Sequence, residues 1–191
     1  MKIDHLGFIH GEGVRWHASP FFDERSVGCV PELIVVHNIS LPARQFGTGC
    51  VQGLFDGTLD CSQHPTFDSL KGLEVSTHFF IDRQGGVTQF VNTQKRAWHA
   101  GVSYFMGRSR CNDFSIGIEV EGSDFDPFES IQYETLARLI AAIAERYETV
   151  TCVTGHSDIA PGRKTDPGPF FDWKHLMEHA AMPKTVQCHH L

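Results

Sequence analysis

His156, Lys164 and Asp166 lie close together in the stretch GHSDIAPGRKTDPGP, which prolines and glycines stiffen. Asp166 precedes Pro167, and the residue before a proline is pushed toward extended backbone. With Thr165 extended as well, Lys164 and Asp166 point to one side of the loop. Neutral imidazole and carboxylate oxygen are both zinc ligands, and a catalytic zinc takes three protein ligands with a position left for water. His156 and Asp166 supply two. His37, where the run LIVVH meets a loop, is the candidate for the third. Metal-assisted hydrolysis also needs a proton carrier and a group that stabilises an oxyanion. Glu119 suits the first role and Lys164 the second. Each has an ordinary alternative: a solvated strand face for Glu119, an ion pair with Asp166 for Lys164, and polar loop positions for the three ligands.

Those side chains must be held by a folded body. The chain has 191 residues, with 41% hydrophobic and 20% charged, ordinary values for a globular protein with a full core. One domain over 1–191 is expected. The formal net charge of −7 argues against a nucleic-acid partner. No apolar run reaches membrane-span length and the N-terminus has no secretory pattern, so a cytoplasmic location without a membrane partner is expected. Six scattered cysteines form no CxxC pair and read as free thiols in a reducing compartment. A monomer is the simplest assembly.

LIVVH (33–37) reads as a buried strand, and VSTHFFID-RQGG-VTQFV as a hairpin around a Gly-Gly turn. In DFSIGIEVEG, Phe114, Ile116, Ile118 and Val120 alternate onto one face. Ser115, Gly117, Glu119 and Glu121 take the other, where small residues leave room for something to approach Glu119. Residues 130–147 carry an apolar helical stripe, with Ser130 as a candidate cap. TCVTGH reads as a strand, and FDWKHLMEHA as a helix capped by Asp172. Residues 1–30 read as an irregular N-terminal arm packed on the body. Residues 41–74 read as a loop excursion with a short helix, and 183–191 as a disordered tail whose Cys188, His189 and His190 could bind stray metal. Together these elements predict an α/β fold: a central mixed sheet flanked by helices.

The stretches VVHNIS, KRAWHAG, CNDFSIGIEVEG and GHSDIAPGRKTDPGPFFDW, in this order over about 33–173, resemble the zinc N-acetylmuramyl-L-alanine amidases. Their wider relatives are the phage-lysozyme-type amidases and peptidoglycan-recognition proteins. The resemblance implies Zn2+ held by His37, His156 and Asp166, with Glu119 and Lys164 as the catalytic pair. An aspartate at 166, where many relatives have cysteine, looks like the branch that cleaves 1,6-anhydro-muropeptides in cell-wall recycling. That makes an anhydro-muropeptide the expected partner. Cleavage of intact peptidoglycan is the related alternative, and muropeptide binding without catalysis the distant one. Asn38, Trp98 and Arg110 are candidate substrate contacts. Trp98 could equally be a core residue and Arg110 an exposed loop residue. His78 and His99 are expected beside the site but not as ligands.

Overall fold

The two strongest strand signals in the sequence end up side by side and in parallel. The computed structural model describes residues 1–190, and Leu191 lies outside them. The elements run in the order β1 (Lys2–Ile3), β2 (Ile9–His10), β3 (Val14–Trp16), β4 (Phe22–Glu24), β5 (Leu33–Ile39) and α1 (Cys50–Asp56). After a short 3₁₀ helix at Pro65–Leu70 come β6 (Phe79–Ile81), β7 (Val87–Gln89), β8 (Lys95–Ala97), β9 (Tyr104–Phe105) and β10 (Arg108–Ser109). β11 (Ser115–Glu121), α2 (Ser130–Arg146), β12 (Cys152–Gly155), α3 (His156–Ile159), α4 (Trp173–Glu178) and β13 (Gln187–Cys188) complete the chain.

Seven strands form one sheet in the order β13-β12-β5-β11-β6-β7-β3. All neighbours are parallel except the hairpin β6–β7, so the sheet is mixed, as expected. Its centre is β5 against β11, in a register that sets Glu119 beside His37. On one face Ile34, Val36, Ile116, Ile118 and Val120 pack against Leu136, Leu139, Ile140 and Ile143 of α2. On the other, Leu33 and Val35 meet Ala100, Cys111 and Phe114. Phe80 there packs with Val51, Leu54 and Phe55 from α1. Every residue of β11 is buried. A parallel strand covered on both sides has no solvated face, so the solvated reading of Glu119 does not hold.

Three expectations are corrected. The N-terminal thirty residues are woven into the body: β3 extends the main sheet against β7, and β4 pairs with β8. The buried Arg25 guanidinium donates to the carbonyls of Asn112, Asp113, Thr93 and Ser115. Strands of two or three residues carry no readable period, so the sequence did not announce them. The cap of α2 is Glu129, whose backbone N–H donates to Gln132 Oε1 at 2.9 Å. Ser130 is already the first helical residue. Residues 183–190 do not fray. β13 pairs with β12, His189 N–H donates to the Val153 carbonyl, and the His190 ring stacks on Trp173 with centroids 5.2 Å apart. Burial, then nearby Asp158, pushes the Cys188 thiol up to about 11, which makes it a poor metal ligand. The caps of α4 and the free cysteines agree with expectation: Asp172 accepts from His175 N–H, and all six thiols are unpaired.

Candidate active site

The site lies on the face of β5 and β11 that turns away from α2. His37 projects from β5 and Glu119 from β11. His156 begins α3 where β12 ends, and Asp166 follows on the proline-bounded loop. The Ser157 N–H donates to the Asp166 carbonyl at 2.9 Å, folding that loop back onto α3. Asn38, next to His37, donates its amide to the Pro167 carbonyl at 2.9 Å and to Asp124 at 2.7 Å. Asn38 thus ties the strand of His37 to the loop that carries Asp166.

Three donor atoms converge. His37 Nδ1 lies 2.9 Å from His156 Nδ1 and 2.9 Å from Asp166 Oδ2, and His156 Nδ1 lies 3.0 Å from the same oxygen. Two ligands on a tetrahedral zinc sit about 3.3 Å apart, from bond lengths near 2.0–2.1 Å. Movements of a few tenths of an ångström would therefore seat an ion. The outer nitrogens are already engaged. His156 Nε2 lies 3.2 Å from the Ala100 carbonyl, a partner that would take its proton once Nδ1 turned a lone pair to a metal. His37 Nε2 meets His99 Nδ1 at 2.9 Å. His37 and His156 are 1% and 3% exposed. Two enclosed imidazoles and a carboxylate fit zinc by donor type, spacing and outer partners.

The electrostatics follow from enclosure. Burial, then the His156 ring, pushes His37 down to about 4, so it stays neutral and ligand-competent. Burial raises Asp166, but the hydrogen bonds from His156 and His37 outweigh it and hold the carboxyl well below the usual range. Asp166 pairs with those histidines rather than with Lys164. Burial, then the charge of Asp166, pushes Glu119 well above the ordinary glutamate value. Glu119 is 8% exposed, its Oε1 lies 3.9 Å from His37 Nδ1, and its Oε2 has no hydrogen-bond partner. Such an orphan in a cleft wall is available to a reactant.

A cleft of about 240 Å³ opens over these groups. Lys164, Asn38, Trp98 and His99 line it, with an apolar wall from Leu54, Phe55 and Leu73. Trp98 is half-buried and stacks on Phe21 at 6.4 Å. Arg110 is not among the lining residues, and its exposed guanidinium lies 3.3 Å from Asp113. Glu121 faces neither cleft nor solvent. Its carboxylate accepts from Gly47 and Arg83 N–H groups and pins the 41–49 loop to the sheet.

Residues 27–169 match the family model described as N-acetylmuramoyl-L-alanine amidase. The chain belongs to that amidase family. It is 51% identical over 162 residues to the 1,6-anhydro-N-acetylmuramyl-L-alanine amidase AmpD of Escherichia coli strain K12, covering 84% of this chain and 88% of that one. A crystal structure of a selenomethionine AmpD derivative superposes with a TM-score of 0.90 at 46% identity, covering 96% of this chain and all of that one. The amidase AmiD of E. coli, in complex with the substrate anhydro-N-acetylmuramic acid-L-Ala-D-γ-Glu-L-Lys, matches with a TM-score of 0.55 at 31% identity. That match covers 80% of this chain and 59% of AmiD. Among the described residues of this amidase no helix is long and apolar enough to cross a membrane.

Sequence reasoning missed what stands behind the candidate ligands: His99 as a partner of His37, Ser115 behind His99, and the Ala100 carbonyl behind His156. One signal was present. A glycine inside a strand marks a close approach, and the group that fills the space at Gly117 is the His99 ring.

Proposed function

We propose that this protein hydrolyses the amide between the lactyl group of 1,6-anhydro-N-acetylmuramic acid and the first L-alanine of muropeptides. The released peptide would feed cell-wall recycling in the cytoplasm. The observation that carries this reading is the convergence of His37, His156 and Asp166 beside a buried Glu119 with an unpartnered oxygen. It occurs in a chain half identical to amidases named for that substrate. Six unpaired cysteines suit a reducing compartment.

In this proposal His37, His156 and Asp166 hold Zn2+. When bound, zinc polarises the amide carbonyl and acidifies the attacking water. Glu119 takes the proton of that water and delivers it to the alanine nitrogen as the C–N bond breaks. Its raised affinity for protons suits a group that must take a proton and hold it until the nitrogen can accept it. Lys164, on the cleft rim, donates to the carbonyl oxygen as negative charge develops there. Asn38 keeps the loop of Asp166 in register with His37. Trp98 and the wall of Leu54 and Phe55 offer apolar faces to the sugar.

The test is hydrolysis of anhydro-muramyl tripeptide by zinc-loaded protein, run beside intact wall sacculi. Release of tripeptide with little release from sacculi supports the recycling reading, and a chelator should abolish it until zinc is returned. Equal cleavage of sacculi would move the protein to wall degradation. No cleavage of either by zinc-loaded protein would remove the enzymatic reading.

A further inference from the structure

We propose that residues His99 and Ala100, clamped by Asn112, form one positioning element that aims both histidine ligands at the metal. The proposal rests on the reading of His37 and His156 as ligands, and it concerns groups that do not touch the ion.

Consecutive residues of one loop serve both rings. His99 offers Nδ1 to His37 Nε2 at 2.9 Å, and Ala100 offers its carbonyl to His156 Nε2 at 3.2 Å. A single side-chain oxygen fixes that pair: Asn112 Oδ1 accepts from the N–H groups of His99, at 3.2 Å, and Ala100, at 2.8 Å. Asn112 is itself buried. The loop carries no strand or helix of its own at these positions, so this amide takes the place of a ladder.

β11 is shaped to receive the His99 ring. Ser115 Oγ lies 3.1 Å from His99 Nε2. Gly117 leaves a gap that the ring fills, and a Cβ there would fall 2.4 Å from His99 Cγ. His78 pins the glycine from the other side, its Nδ1 accepting from the Gly117 N–H at 3.0 Å. The His37 and His99 ring planes stand at 87° with centroids 5.1 Å apart, and their edges meet through the Nε2–Nδ1 contact. Three consecutive residues of β11 on this face thus have separate duties: Ser115 ends the relay, Gly117 makes room for it, and Glu119 faces the reactants.

The proton count along the relay is consistent. If His37 Nε2–H donates to His99 Nδ1, then His99 Nε2–H donates to Ser115 Oγ. His37 Nδ1 is left with its lone pair toward the metal. The opposite direction, Ser115 to His99 to His37, would place a proton on Nδ1 and block coordination. Metal binding therefore selects one of two neutral arrangements without changing the net charge of the relay. An imidazole partner permits this exchange, whereas a carbonyl partner, such as the one behind His156, accepts in one direction only.

The test measures zinc affinity by competition with a chromogenic chelator, alongside turnover and the ring-¹⁵N spectrum of zinc-loaded protein. His99→Phe keeps a ring over Gly117 and removes both nitrogens. It should weaken zinc binding by about 10–100-fold, the range for loss of an outer partner of a metal ligand. His99→Asn restores an acceptor near the Nδ1 position and should recover part of that loss. Asn112→Ala should also weaken binding, and the wild-type His37 resonances should report a proton on Nε2. If His99→Phe and Asn112→Ala hold zinc within twofold of wild type, the positioning proposal is overturned. The same holds if they only lower the melting temperature of metal-free protein. A wild-type chain that binds no zinc, or a His37→Ala variant that binds it normally, would instead remove the ligand reading.

Discussion

β5 and β11 have one face against α2 and one against the cleft, and the two faces are built to opposite rules. The α2 face is uninterrupted aliphatic packing: Ile116, Ile118 and Val120 against Leu136, Leu139 and Ile140. The cleft face of the same strand reads Ser115, Gly117, Glu119, all buried. Burial of Ile118 contributes stability at roughly 1.5–3 kcal/mol for a side chain of its kind. Burial of Glu119, with one oxygen unpartnered, costs stability and leaves a group ready to react. The strand's alternation lets one segment carry both, because neighbouring residues never share a face. The apolar face thereby carries the polar one.

The sharpest way to break this comparison is to remove the function and keep the shape. Glu119→Gln should lower kcat by about 10²–10⁴-fold while zinc content and fold persist. Its melting temperature should equal or exceed that of wild type, and a clear fall would show that Glu119 supports the fold. Lys164→Ala, read by steady-state kinetics and metal analysis, should reduce kcat by about 10²–10³-fold with zinc retained. A fully active variant would remove the oxyanion role. Asn38→Ala loses two hydrogen bonds that join β5 to the loop of Asp166. Denaturant titration should show a loss of about 1–3 kcal/mol. Ile118→Val, one residue from Glu119 but on the other face, should cost about 0.5–1.5 kcal/mol. Activity per folded molecule should be unchanged, and a change in kcat would mean the two faces are coupled.

The smallest effect is a slope. Folded Glu119 keeps its proton at pH values where the unfolded chain has released it, because its folded value is raised above the ordinary 4.5. Its contribution is therefore present below pH 4.5 and is lost as pH rises from there toward the folded value. In metal-stripped protein, the wild type should lose stability relative to Glu119→Gln across that window. Parallel profiles would mean that Glu119 is not held neutral.

The aliphatic face was legible because its signal is local: period two in β11 and period 3.6 in α2. The cleft face was half legible. His37, His156 and Asp166 stood out as ligand types at a strand end, a strand-to-helix turn and a proline-stiffened loop, and the structure brings their donor atoms together. That Glu119 is enclosed could not be read, since the groups around it, His37 on β5 and Asp166 and Lys164 on the loop beyond β12, are distant along the chain. Ser130 was a reasonable cap by residue type, but the first turn begins one residue earlier in space than in the pattern, at Glu129. Arg25 carried no signal at all. An isolated arginine reads as surface, and its four carbonyl partners are contributed by β11 and by segments that flank it and β8.

The strand order also bears on how the chain reaches this state in time. Within the seven-stranded sheet only β6 and β7 are joined by a tight turn. Leu33 pairs with both Ser115 and Cys152, and Val14 pairs with Val87. Each of those pairings closes a long loop before any contact offsets its entropy. Such a topology belongs with the slower single domains, folding over milliseconds to seconds. His37 lies on β5 and His156 directly follows β12, and the pairing of those two strands closes the longest of these loops, so the candidate ligands meet only once that loop has closed. An ion arriving earlier meets single histidines, and one arriving afterwards meets all three donors at once.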